Sequence, residues 1–557
     1  MSNVWLNNYP KDVRAHIDYP NATMYQLFED SAEKWSDNTA LIFMGKKISY
    51  AELKDQVDRL ATALHELGVR KNDRVAIFMP NCPQVGISYF ATLRLGAIVV
   101  MCNSMYTEDE LLHQLSDSGA ETIFTLDMEM TYPKIENIKD KTKIKRVIVT
   151  NLREYLPIPL NVLFPLAKRK DLVKVKKESG IYFFKDLLAS FKDSSSGPPD
   201  VDIDPENDLA LLQYTGGTTG LSKGAMLTHK NIVANALQVR HWFLFQVPDG
   251  KGVEMLALPL FHAYGMVCAN TGIVMGSTAV LIPDPRDIKG VLKSIQKYKV
   301  MIYPGVPTMY VAINNFPNIG KYDISSLKFC FSAAAPLPIE VMNEFQKITG
   351  GKLVEAFGLT EAGPATHGNP MVGNVKAGSI GLPLPDTDVK IVDIETGKEE
   401  LSIGEKGELA IRGPQVMKGY WNAPKETKLA LRDGWLYTGD IATMDEEGYT
   451  YIVDRKKDMI IAGGYNIYPR DIDEVLFQHP KILKACAVGI PDQWRGETVK
   501  AFVVIKEGET ATEQEIIDFC KEKLAPYKVP KIVEFREDLP ETMVGKVLRR
   551  ALKEGGV

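Results

Sequence analysis

The sequence predicts an α/β protein of two lobes, built on mostly parallel, helix-covered sheets with a β-rich subdomain before the second lobe. Three observations predict it. Short apolar runs of strand length alternate with capped, amphipathic helical patterns from Ser49 to about Phe357. Between about 376 and 452 the texture changes to short strands and turns, punctuated by Gly378, Gly381, Gly397, Gly404 and Gly407. From Asp458 a fresh α/β pattern runs to the end of the 557 residues, long enough for a lobe of its own. The expected division is 1–454, a joint at 455–457, and 458–557.

Taken in order, Ser49 with Glu52 forms a capping box before a helix whose apolar face is Leu53, Val57, Leu60, Ala61 and Leu64, ended by Gly68. RVAIFMP (74–80) reads as a strand, 83–95 as a helix and GAIVVM (96–101) as a strand. Thr107 with Glu110 caps the next helix, and strands follow at 121–126 and 145–150. A polar linker (190–207) precedes a strand at 209–214, then a second short strand and a helix from His229 capped by Thr228. Further strands are expected near 254–260, 278–282, 299–304, 327–332 and 353–357. The second lobe shows a helix from Pro469, strands at 484–489 and 499–505, a helix at 512–523 and a last helix from Lys546.

Composition excludes several classes. Apolar residues make up 45% and charged residues 25%, ordinary for a soluble protein, and the net charge of −5 gives no electrostatic case for nucleic acid. Six cysteines without a CxxC pair suit a reducing cytoplasm rather than a disulfide framework or a zinc site. The N-terminus lacks a signal-peptide pattern, and KEGGV is not a peroxisomal address. Met255 to Pro283 is uncharged, but its strand, polar motif and small-residue helix read as a buried core. Tyr155 to Ala167 (YLPIPLNVLFPLA) runs into basic KRKDLVKVKK. It reads as a solvated insertion, with peripheral contact to anionic lipid as the alternative.

The densest chemistry lies in Tyr214–Gly224, YTGGTTGLSKG. Glycines let backbone N–H groups turn inward to form a concave row of donors suited to phosphate oxygens; threonine hydroxyls and Lys223 add to it. A P-loop is excluded, because Ser222 and Gly224 flank Lys223 where GxxxxGK[ST] needs glycine before and a hydroxyl after. Elsewhere, Thr360 and Glu361 in EAFGLTEAG set a hydroxyl beside a carboxylate, which suits phosphate and magnesium or, more plainly, a helix N-cap. Asp440, closing GWLYTGD, could accept both hydroxyls of a ribose. Lys546 in PETMVGKVLRR follows a glycine at a tip between strand and helix, where a mobile cation can enter and leave a site.

The phosphate-loop string resembles the signature of the adenylate-forming superfamily of acyl-CoA synthetases, luciferases and peptide-synthetase adenylation domains. Seven motifs occur in that superfamily's order over about residues 30 to 550, and DRKKDMI with PYKVPK is similar to bacterial and archaeal medium- to long-chain fatty-acid CoA ligases. The resemblance implies a large lobe of two helix-covered sheets plus a small β-barrel, and a small mobile α/β lobe. It implies ATP and Mg²⁺, with coenzyme A as co-substrate. It assigns Thr215, Gly216, Gly217, Thr218, Thr219, Gly220 and Lys223 to phosphate, with Thr360 beside them, and Glu361 to Mg²⁺. Ala335, Pro336, Phe357 and Gly358 would bracket adenine, while Asp440 and Arg455 would hold the ribose. Lys457 would be the hinge, and Gly463, Gly464 and Asn466 would border the pantetheine path. His262 in LPLFHAYGM, expected at the end of a strand, would orient the acyl carboxylate, and Lys546 would be the catalytic lysine of adenylation. Tyr264, Gly265, Met266, Val306, Ala333, Ala334 and Ala356 would line the acyl pocket. Three departures bear on this: Ala333 and Ala334 replace glycines of SGGAPL, Ala356-Phe357-Gly358 replaces Gly-Tyr-Gly, and Val544 stands where a hydroxyl is usual.

The expected reaction joins a carboxylic acid, a fatty acid first, to coenzyme A through acyl-AMP. Aryl or cinnamoyl CoA ligase shares every motif and remains an alternative, as does an acyl-AMP ligase loading a carrier protein. A non-catalytic nucleotide sensor is the reading of another class, opposed by Lys223, Glu361, Asp440, Arg455 and Lys546 together. The sequence leaves monomer or homodimer open.

Overall fold

Helix Tyr50–Glu66 shows how the first lobe is built. Ser49 N donates to Glu52 Oε2 at 2.8 Å and Glu52 N to Ser49 Oγ at 3.1 Å, fixing the start of the helix. Its stripe of Leu53, Val57, Leu60, Ala61 and Leu64 is at most 1% exposed and packs on helix Pro83–Arg94. The computed structural model describes residues 3–191, 197–215, 222–462, 465–492, 494–542 and 547–554.

Two large sheets enclose these helices. The eight-stranded sheet runs Gly419–Tyr420, Gly224–Thr228, Leu209–Tyr214, Ile98–Met101, Arg74–Phe78, Thr122–Leu126, Arg146–Thr150, Ile181–Phe183. From Leu209–Tyr214 onward it is parallel, so these strands are apolar on both faces. The nine-stranded sheet runs Leu382–Pro383, Ala365–Gly368, Lys352–Gly358, Phe329–Ser332, Ile302–Gly305, Val253–Leu256, Thr278–Leu281, Thr39–Phe43, Lys46–Ser49. It is parallel between Lys352–Gly358 and Thr39–Phe43 and antiparallel at its margins. Helices His229–Phe243 and Ala263–Val274 pack on each other between the sheets, in one continuous core.

The small barrel is a curled half-barrel: Asp388–Val392, Gly407–Arg412, Trp435–Met444 and Thr450–Arg455, with Leu431–Arg432 added to the third. In the second lobe, Tyr465–Ile467, Ile460–Ala462, Gly496–Ile505 and Ile482–Asp492 form a sheet, with Ile532–Phe535 parallel to the third. Helices Pro469–Phe477 and Glu513–Lys523 cover one face through Ile472, Leu476, Ile516 and Cys520. Helix Arg549–Glu554 covers the other through Leu552.

Four details differ from the sequence expectation. The strand expected near 254–260 ends at Leu256, because Asn81 captures the next residues: its Nδ2 donates to the carbonyls of Leu256 and Leu258, and its Oδ1 accepts from Leu260 N. Within 376–452, Leu382–Pro383 and Gly419–Tyr420 leave the half-barrel for the two large sheets, and Pro424–Ala430 is helical. The proline-broken 155–167 segment contains a helix, Leu160–Ala167. The last described helix starts at Arg549, after the expected position. Among the described residues no helix is long and apolar enough to cross a membrane, and all six cysteines are buried.

Candidate active site

The carboxyl end of strand Leu209–Tyr214 and the start of Gly224–Thr228 hold the mouth of the phosphate loop. Thr215 N donates to Lys223 O at 2.9 Å, and His113 Nε2 lies 2.9 Å from Ser222 O. Tyr214 OH donates to Asp117 Oδ2 at 2.6 Å, and Trp421 Nε1 donates to the Asp117 carbonyl at 3.1 Å. The anchor of the loop is therefore shared by helix Glu108–Ser118 and the strand at Gly419–Tyr420. Gly216, Gly217, Thr218, Thr219 and Gly220 lie outside the described residues, as do Gly463, Gly464 and Lys546.

Thr360 and Glu361 do not begin an α-helix; they form a single 3₁₀ turn, Thr360–Ala362, after strand Lys352–Gly358. Tyr420 ties this turn to the phosphate loop. Its hydroxyl donates to Glu361 Oε1 at 2.7 Å, and its ring centroid lies 5.1 Å from Lys223 Nζ. Burial first, and the Glu361 carboxylate second, hold the phenol above its ordinary pKa, so it remains a donor. The sequence reading did not find Tyr420; the signal was Gly419, whose φ of +146 brings the chain close to Thr427. Glu361 is a single half-buried carboxylate, and no cluster of three metal-binding side chains exists among the described residues. Magnesium held by one carboxylate plus substrate phosphates requires no more than this.

Asp440 stands on strand Trp435–Met444, opposite Arg455 in register. It is 3% exposed, and Arg455 Nε lies 3.2 Å from its Oδ1. Its Oδ2 is buried without a hydrogen-bond partner among the described residues. A buried carboxylate oxygen left so is costly unless something donates to it, and a ribose hydroxyl has the right chemistry. Glu408 steadies the turn: its Oε1 accepts from Gly439 N at 3.2 Å and its Oε2 lies 2.9 Å from Lys456 Nζ. Partial desolvation, then Arg455, holds Lys457 below the ordinary lysine range, against the fields of Asp458, Asp440 and Glu361. Lys457 thus lies in the fields of both Asp440 and Glu361.

His262 caps helix Ala263–Val274 instead of ending a strand. Its Nδ1 accepts from Tyr264 N at 3.2 Å, which puts the proton of the neutral ring on Nε2. Gly265 is required by space: a Cβ there would lie 2.3 Å from the Pro259 carbonyl oxygen. Tyr264 turns inward and donates to Phe331 O at 2.8 Å, while Met266 and Val306 are buried. Ala333 N donates to Gly305 O, and Ala334 holds a left-handed φ of +71, where glycine would be unstrained. Ala335 is half-buried and Pro336 exposed. Ala356 pairs with Gly368 and Phe357 with His367, whose ring meets that of Phe357 edge-on at 6.1 Å. Gly358 has no room for a side chain, its Cβ position being 2.2 Å from Pro364 O.

The two lobes meet through Asp454 and Arg470. Asp454 accepts from Arg470 N and from Arg455 N, both at 2.7 Å, and Arg470 Nη1 donates to Ile452 O at 2.6 Å. One buried carboxylate therefore pins helix Pro469–Phe477 to the strand leading into the joint. Asn466 is exposed on the hairpin Ile460–Ala462/Tyr465–Ile467, and neighbouring Tyr465 stacks on Tyr527 at 4.5 Å.

Comparison with known proteins converges on one family. The model of the AMP-binding enzymes matches residues 28–421, and that of the AMP-binding enzyme C-terminal domain matches 471–546. A long-chain-fatty-acid–CoA ligase of Bacillus subtilis is 47% identical, covering 99% of this chain and 97% of its own. ATP-bound MatB from Rhodopseudomonas palustris superposes with a TM-score of 0.83 at 30% identity, over 96% of this chain and 99% of that one. The O-succinylbenzoate coenzyme A synthetase MenE of Bacillus subtilis, solved with ATP and a magnesium ion, gives 0.77 at 27% identity, over 95% and 99%.

Proposed function

This chain belongs to the AMP-binding enzyme family, and on that premise we propose that it activates fatty acids with ATP and transfers them to coenzyme A. The observation that carries the reading is that Tyr420 joins Lys223 to Glu361, while Lys457 lies in the fields of both Glu361 and the buried Asp440 that pairs with Arg455. The acyl class rests on the similarity, over nearly the whole chain, to the Bacillus long-chain-fatty-acid ligase.

A carboxylate acylates poorly, because its oxygen leaves reluctantly. In the first step a carboxylate oxygen attacks the α-phosphorus of ATP. The new P–O bond forms as the bond to the β-phosphate bridging oxygen breaks, and pyrophosphate leaves. His262 offers its Nε2–H to the carboxylate and orients it. Thr215 to Lys223, with Thr360 and Lys546, surround the phosphates, and positioned donors and cations offset the crowded negative charge. Magnesium on Glu361 would add further charge neutralisation at the phosphates. Asp440 and Arg455 hold the ribose while Phe357 and Gly358, with Ala335 and Pro336, flank the adenine.

In the second step 458–557 turns about 455–457 and brings Gly463, Gly464 and Asn466 to the acyl-adenylate. The thiolate of coenzyme A attacks the acyl carbon, a C–S bond replaces the C–O bond, and AMP leaves. Tyr264, Gly265, Met266, Val306, Ala333, Ala334 and Ala356 enclose the acyl group in both steps. Six buried cysteines without a CxxC pair support the cytoplasm as the place of the reaction.

Pyrophosphate and AMP release should be measured with ATP, Mg²⁺ and acids from acetate through palmitate to benzoate and 4-coumarate, with and without coenzyme A. Turnover of fatty acids with AMP release dependent on coenzyme A is expected. A preference for benzoate or 4-coumarate would overturn the acyl class, and pyrophosphate without thioester would overturn the ligase.

A further inference from the structure

One surface of the first lobe is too apolar for a face that meets only water. Helix Leu160–Ala167 (LNVLFPLA) carries no charge and none of its residues is buried. Ile158 is 82% exposed, Leu166 75%, Val162 66% and Leu163 49%, while Phe164 turns back against the core. A second element extends this patch. Met44, at the tip of the hairpin Thr39–Phe43/Lys46–Ser49, is 49% exposed, and the Cβ position of neighbouring Gly45 lies 3.7 Å from Pro157. Lys46 Nζ fastens the hairpin to the segment by donating to Glu154 O at 3.0 Å.

Cations rim the patch. Lys168, Arg169 and Lys170 follow the helix directly, Lys174, Lys176 and Lys177 come next, and Lys47 flanks it on the hairpin; all are exposed. The basic run is held in place, with Glu129 N donating to Asp171 O and Val173 N to Asp127 O, both at 2.9 Å. The whole chain is acidic at −5, so this concentration of positive charge is local.

An apolar helix with cations at its margin matches the interface of an anionic bilayer, where side chains enter the acyl region and cations meet lipid phosphates. We propose that Met44 and the segment Ile158–Lys170 form a docking surface for anionic lipid bilayers. A second copy of this chain is a worse occupant, because a two-fold contact over the helix would bring the two basic runs together. The surface also faces usefully. Strands Arg146–Thr150 and Leu209–Tyr214 are parallel within one sheet, so the segment leaves the same sheet edge as the phosphate loop, four strands away or roughly 20 Å. A docked chain holds the carboxyl end of strand Leu209–Tyr214 within one lobe's breadth of the lipid. The proposal is independent of which acid the enzyme activates.

The test is co-sedimentation of the full chain with vesicles of phosphatidylcholine alone, or with roughly one-third phosphatidylglycerol. Binding at least tenfold tighter to the anionic vesicles, weakening with salt, is expected. Val162→Glu with Leu166→Glu should lose at least tenfold on both vesicle types, and Lys168→Glu with Lys170→Glu should lose it on anionic vesicles alone. Leu163→Ser with Leu166→Ser is the milder companion, and coenzyme A-dependent AMP release from dissolved octanoate should be unchanged in all three. Wild type that stays in solution, or variants that sediment as wild type does, would overturn the proposal. So would a glutamate pair that splits a dimer on gel filtration without altering vesicle binding, which would make this face a contact between copies.

Discussion

Asp440 supplies the sharpest test of the nucleotide site. Its Oδ1 is engaged by Arg455 Nε at 3.2 Å, which leaves Oδ2 as the acceptor for a ribose hydroxyl. A hydrogen bond to an ionised group contributes roughly 1.5–3 kcal/mol net, a factor of about 10 to 150 in binding. Asp440 is 3% exposed, so solvent screening does little to reduce that value. Wild type should therefore prefer ATP to 2′,3′-dideoxy-ATP by about 10- to 150-fold in kcat/KM for pyrophosphate release. In Asp440→Ala the preference should vanish: ATP falls to the level of the dideoxy nucleotide, which itself changes little. Asp440→Asn, which keeps the shape beside Arg455, guards against a folding artefact, and thermal melts report that directly. A full ribose preference in Asp440→Ala would refute the assignment.

Three other perturbations follow from the geometry. Tyr420→Phe keeps the ring beside Lys223 but removes the donor to Glu361, and should raise the Mg²⁺ concentration for half-maximal pyrophosphate release about tenfold with the fold intact; an unchanged Mg²⁺ titration would separate Tyr420 from the metal position. Burial raises the Glu355 carboxyl to about 8, against the pull of Arg470, so the folded chain keeps a proton that the unfolded chain releases near the ordinary value of 4.5. Folded stability then falls as pH rises from about 4.5 to about 8, by up to ~1.4 kcal/mol per pH unit, and Glu355→Gln should flatten the melting temperature over that window; parallel wild-type and variant profiles would count against it. Gly265→Ala would press a methyl group into the Pro259 carbonyl and should destabilise by about 1–3 kcal/mol while raising KM for the acid, whereas a melt unchanged from wild type would show that the helix start can shift freely.

What the sequence made legible was local. Capping boxes at Ser49 and Thr107, the cap at Thr228 and the strand on either side of the phosphate loop required nothing beyond neighbouring residues, and the structure contains them. What it hid was long-range. Asn81 shapes the loop before His262 from 179 residues away at Leu260, and Tyr420 reaches Glu361 across 59. Asp454 entered the sequence reading only as the end of the expected first lobe, although its carboxylate receives the backbone of Arg470 in the other lobe. His262 was misplaced for the same reason: an apolar run suggested a longer strand, and the buried amide that cuts the strand short comes from another element.

The two-residue strand Gly419–Tyr420 closes the sheet edge beside a loop that left the ribosome about 200 residues earlier. At ordinary translation rates that interval is roughly 10–40 s. During it Lys223 is already synthesised, yet the tyrosine between it and Glu361 does not exist. A nascent chain thus carries Lys223 and Glu361 without the side chain that joins them until nearly the whole first lobe has been made, and Asp440 and Arg455 emerge later still.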